Sequence, residues 1–122
     1  MSERLIGIRV AIVRCVDDAW PVFVECEFVD AHGEWHRFQE KSPIITADLI
    51  DFTTIYPYPA VIACQVISGP LMVAGENAYL VDTELPWHVS SLADKTQFEV
   101  RACDLIEWTH GSSDERPWNG MK

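Results

Sequence analysis

Segments of alternating apolar and polar residues, separated by turn-forming residues about every eight to twelve positions, run through most of this chain. Such spacing suits short strands joined by hairpins and leaves room for at most one or two short helical turns. It predicts a mostly β fold, a small antiparallel barrel or sandwich of about six to eight strands, rather than any βαβ arrangement.

Leu5 to Val16 is the first such segment, with Ile6, Ile8, Val10 and Ile12 alternating with Gly7, Arg9, Ala11 and Val13. Asp17-Asp18 marks a turn, and Trp20-Pro21 opens a second strand on which Val22, Val24, Cys26 and Phe28 share one face and Glu25 and Glu27 the other. Asp30-Ala31-His32-Gly33 then suits a type I turn in a three-residue hairpin loop: Asp bonds its own backbone, and Gly tolerates positive φ. In that register Phe28 pairs with His36 and Cys26 with Phe38, which keeps Phe38 on the apolar face.

The pattern breaks between Pro43 and Pro59, where Thr46 to Ile50 allows one helical turn capped by Thr46 before the rigid Tyr56-Pro57-Tyr58-Pro59 stretch. Ala60 to Ser68 is apolar on both faces and reads as a central strand, ended by Gly69-Pro70. Two further hairpins are expected, Leu71–Ala74 with Ala78–Thr83, and Trp87–Leu92 with Thr96–Ala102. Asp104 to Trp108 allows a short helical turn. Residues 1–108 are thus expected to form a single β domain, with 109–122 a flexible polar C-terminal tail.

The 122 residues are 48% hydrophobic, enough to bury a core, yet no apolar run approaches the roughly 20 residues of a membrane helix. Met1-Ser2-Glu3-Arg4 carries an acidic residue and leads into an alternating segment, unlike a secretory signal, so a cytoplasmic location without membrane partners is expected. Cys15, Cys26, Cys64 and Cys103 contain no C-x-x-C pair and read as small core residues rather than a disulfide framework or a zinc site.

Charge is the feature that bears most on function. The formal net charge is −10, and the nine Lys and Arg lie outside positions 42 to 94, where Asp48, Asp51, Glu76, Asp82, Glu84 and Asp94 are the charged residues. A section without cations cannot make the phosphate contacts that dominate nucleic-acid binding, so no nucleic-acid partner is expected. A basic protein partner fits the charge better.

Motifs for chemistry are weak. His32 and His36 have the H-x3-H spacing of metal ligands, but here it straddles a turn and reads as structural, so no metal is expected. Asp82 and Glu84, at i and i+2, would project together roughly 6 to 7 Å apart on a strand, as is common on wet faces. Cys26 and His36 would lie diagonally across the hairpin, facing the core, where a thiol is inert. Nucleophile-elbow and phosphate-cradling motifs are absent, and no cofactor is expected.

The reading favoured by these features is a non-enzymatic binding or accessory protein, an immunity-like inhibitor being one version. Its candidate binding residues are Asp48, Asp51, Tyr56, Tyr58, Asp82, Glu84 and Trp87, carboxylates and amphipathic rings in or beside connections. The alternative is a small enzyme or small-ligand binder with its site in the barrel mouth.

Overall fold

A computed structural model describes residues 6–107 and 116–117 of the chain. Its strands are β1 (Ile6–Asp17), β2 (Phe23–Val29), β3 (Trp35–Lys41), β4 (Tyr58–Val73), β5 (Glu76–Asp82), β6 (Gln97–Arg101), β7 (Leu105–Glu107) and the two-residue β8 (Arg116–Pro117). They form one antiparallel sheet ordered β3-β2-β1-β4-β5-β6, with β7 pairing β1 and β8 pairing β7, curled into a half-barrel. Among the described residues, helical structure is limited to one turn, α1 (Ser42–Ile45), and a 3-10 turn at Ala102–Asp104.

β1 is central because it is paired on both edges: β4 lies along one, while β7 and then β2 share the other. Ile6, Ile8, Val10 and Ile12 are accordingly all buried, whereas Arg9 on the opposite face is exposed. The β2–β3 hairpin adopts the expected register, with Cys26 opposite Phe38 and Phe28 opposite His36. Its loop closes through Gly33 N–H to Asp30 O at 3.1 Å and Asp30 N–H to Glu34 O at 2.9 Å, and Gly33 takes φ 82°.

Three local expectations are corrected. β4 does not stop at Gly69-Pro70 but runs sixteen residues, its first half paired to β1 and its second to β5. Register shifts between Val66 and Leu71 absorb the proline, which has no N–H for the ladder, and let the strand bend from one half of the sheet to the other. Gly69 sits in that bend at φ 136°, where a Cβ would stand 2.6 Å from Tyr79 Cδ2.

The second correction concerns Trp87–Leu92, which is not a strand. Val89 and Ser91 are buried as an alternating pattern demands, but local turns consume the backbone of residues 83–96. Val89 N–H bonds Thr83 O at 3.0 Å, Ser91 N–H bonds Lys95 O at 2.8 Å, and the buried Thr83 hydroxyl donates to Val89 O. Among the described residues, β6 therefore pairs only with β5.

The third concerns short helices. The helical turn forms at Ser42–Ile45, where Pro43 suits a first turn, and Thr46 ends it rather than starting one. Leu105–Glu107 is a strand, preceded by the 3-10 turn. Of the expected C-terminal tail, Arg116–Pro117 pairs with Glu107 and Ile106, and the remainder lies outside the described residues.

The inner face is filled by side chains from every long strand. Phe28, Phe38, Phe98 and His36 form its aromatic centre, Phe98 meeting Phe28 edge-on at 5.3 Å and Phe38 at 5.8 Å. Single backbone bonds bring the two ends of the sheet together: Ala31 N–H to Glu99 O and Leu92 N–H to Arg37 O, both 2.8 Å. Cys15, Cys26 and Cys64 are buried free thiols, as expected, but Cys103 is exposed in the 3-10 turn.

Gly69→Ala is expected to destabilise the fold well beyond Gly33→Ala. Both positions force a left-handed backbone costing about 1 kcal/mol for an L-residue, but only at position 69 would the new methyl meet a neighbour. Urea midpoints of the two variants check the order.

Candidate functional site

The seven candidate residues fall into two groups. Asp48, Asp51, Tyr56 and Tyr58 come together in and beside the 46–57 connection. Tyr58 donates its hydroxyl to Asp48 Oδ2, and Tyr56 donates to Asp51 O at 2.6 Å. Asp51 organises the turn by accepting Thr53 N–H at 2.8 Å and Thr53 Oγ1–H at 2.6 Å, and these bonds hold its carboxyl below the ordinary value. The bond to Asp48 raises the Tyr58 phenol.

This connection lies against the end of β1. Burial raises the Cys15 thiol, and the negative charges of Asp18, Asp17 and Asp51 raise it further. Asp17 and Asp18 thus add negative charge at the end of β1 from outside the cation-free section, which no local pattern announces. Large apolar side chains share the same end. Leu49 is 96% exposed, Ile55 87%, Trp20 79% and Phe52 59%. Lys41, at the end of β3 opposite Phe23, borders the area.

Asp82, Glu84 and Trp87 lie elsewhere. Asp82 ends β5 opposite Gln65 of β4, seven residues along that strand from Tyr58, on the order of 20 Å at the usual rise per residue. Its carboxylate accepts Glu84 N–H at 2.8 Å and Gln97 Nε2–H at 3.2 Å, acting as a turn cap, while Glu84 faces His88 at 3.8 Å. Trp87 is partly exposed in the 83–96 connection. Glu76, at the far end of β5, is met by Arg101 at 4.0 Å. The acidic section is therefore spread along β4 and β5 instead of forming one surface.

A third constellation, at the β2–β3 hairpin tip, was only half legible. His32 and His36 do turn to different partners, as the intervening turn implies. His36 Nε2 lies 2.7 Å from Asp30 Oδ2, both side chains being buried, and His32 pairs with Glu99 of β6. Asp30 Oδ1 accepts His32 N–H at 2.8 Å and Glu34 N–H at 3.0 Å. Burial works to raise the Asp30 carboxyl, but the hydrogen bond with His36 and the two backbone donors outweigh it and hold it below the usual value. The hydrogen bond with Glu99 raises His32. The missed signal was parity, since Asp30 and His36 lie on one face of the hairpin, diagonal across the register.

Nucleophilic chemistry finds no support at Cys26. Burial pushes its thiol up to about 12, and His36 is engaged by Asp30.

Asp30→Ala removes three hydrogen bonds at once and strands a buried imidazole, so a loss of about 3 kcal/mol is expected in chemical denaturation. Because the folded Asp30 carboxyl is lowered, its contribution is full above its unfolded value of 3.8 and fades as pH falls through the lower folded value. His32 is raised, so any stabilisation from its exposed pair is present below its unfolded value of 6.5 and is lost as pH rises through the folded value. The stability difference between wild type and His32→Gln should shrink toward zero as denaturation is repeated at increasingly alkaline pH.

The chain matches no protein-family model, no curated protein and no solved structure, so the functional reading rests on its own residues.

Proposed function

We propose that the chain is a non-enzymatic binding protein that receives a basic protein partner at the end of the sheet where the 46–57 connection meets the β1–β2 turn. The observation that carries this reading is that Leu49, Phe52 and Ile55, three large apolar side chains in one short connection, all face solvent beside Asp48 and Asp51. Exposed apolar area of this kind, rimmed by charge, is characteristic of protein-binding surfaces. Trp20 adds an aromatic ring of the type that anchors interfaces.

Carboxylates give the surface its sign. Asp17, Asp18 and Asp51 all act electrostatically on Cys15, and Arg14, on β1, is engaged with Glu25 at 3.2 Å. A partner bearing Lys or Arg would be steered to this end by complementary potential and then held by apolar contact. An inhibitor that masks a cationic toxin or nuclease is one form such a protein takes. Asp82, Glu84 and Trp87 lie outside this surface and have no part in the proposal.

Wild-type chain and an Asp51→Asn/Ile55→Ser double variant, immobilised side by side, should differ in what they retain from lysate of the producing cell at low ionic strength. A basic protein is expected on the wild type alone, released as salt approaches about 1 M, where screening shortens to about 3 Å. Equal retention by the double variant, or no salt-released partner, would overturn the reading.

A further inference from the structure

The hairpin tip gathers more ionisable groups than its turn requires. Asp30, Glu34 and His36 come from one short stretch, yet each places a donor atom within 4.8 Å of the other two. Among the described residues, no Lys or Arg engages either carboxylate. The tip lies at the opposite end of β2 from the surface proposed to bind a partner, and nothing in that reading uses it.

We propose that Asp30, Glu34 and His36 form a binding site for one divalent transition-metal ion, with zinc the ion best matched to the donors. Zinc takes carboxylate and imidazole ligands at about 2.0 to 2.2 Å, which places the donors around it roughly 3 to 4 Å apart. The three groups already lie near that spacing, and the exposed Glu34 side chain is free to close the remaining gap. Three protein ligands leave the solvent side open for water.

The surroundings hold the two buried ligands in place. Both backbone donors to Asp30 Oδ1 aim Oδ2 at His36, in the manner of groups that orient metal ligands from behind. The His36 ring is fixed against Phe98 at 4.7 Å and Phe28 at 5.4 Å. His32 remains with Glu99 and stays outside the set. The ion takes the place of the hydrogen between Nε2 and Oδ2. If the ring is charged that proton leaves to solvent, and if it is neutral the proton moves to Nδ1, so charge and atoms balance in both cases.

Calorimetric titration of chelator-treated protein with Zn2+ is expected to give one ion per chain, with Glu34→Gln binding about ten-fold or more weakly. Because Glu34 is exposed, the variant should unfold at the wild-type temperature without metal. Nuclear magnetic resonance of the wild type provides a second readout, in which Zn2+ should move the His36 ring signals and leave those of His88 in place. Absence of saturable binding, equal affinity in Glu34→Gln, or unmoved His36 signals at saturation would each overturn the site and leave Asp30–His36 as a purely structural pair.

Discussion

A sheet that curls without a continuous closing ladder must hold its inner face together by packing, and here that task falls on Phe98. Placed on β6, at one end of the strand order, it reaches Phe28, Phe38 and His36 on β2 and β3 at the other end. The two backbone bonds that accompany it, from Ala31 and Leu92, would be weak fasteners in water. Together with the aromatic centre, they set the relative position of strands that share no ladder. Both the hairpin tip and the 83–96 connection owe their place to this contact.

Polar groups near that seam are satisfied rather than avoided. Among the described residues no buried side-chain nitrogen or oxygen lacks a hydrogen-bond partner. Glu25 illustrates the pattern on the other face of β2, where the hydrogen bond from Gln39 lowers its carboxyl against the opposing effect of burial, with Arg14 assisting. Asp30 does the same inside the turn. The consequence for function is a division of the molecule: a tip rich in paired ionisable groups at one end of β2, and an end with unpaired apolar side chains at the other.

How much of this could be read in the residues depended on the range of the interaction. The β2–β3 register was legible because turn chemistry at Asp30 and Gly33 and the apolar face of Cys26, Phe28 and Phe38 specify the same pairing. Val89 and Ser91 misled because burial at alternate positions is shared by strands and by tightly turned connections, and only the backbone partners distinguish them. At Gly69-Pro70 a residue pair that usually interrupts a strand is accommodated by a bulge, which requires a partner strand to be seen. Asp48, Asp51, Tyr56 and Tyr58 lie near one another in sequence, whereas the fold is needed to show that Asp17, Asp18 and Asp51 all act on Cys15.

The bend in β4 also sets the phase of the molecule. Side chains up to Cys64 are in step with β1, pairing with β5 begins at Gln65, and the irregular residues between Val66 and Leu71 offset the rest of the strand against β5. Gaining or losing one residue there would leave each half internally sound but out of step with the other, presenting to water what one half now conceals. Length at that bend is therefore as much a part of the fold's specification as the identity of the residues in its core.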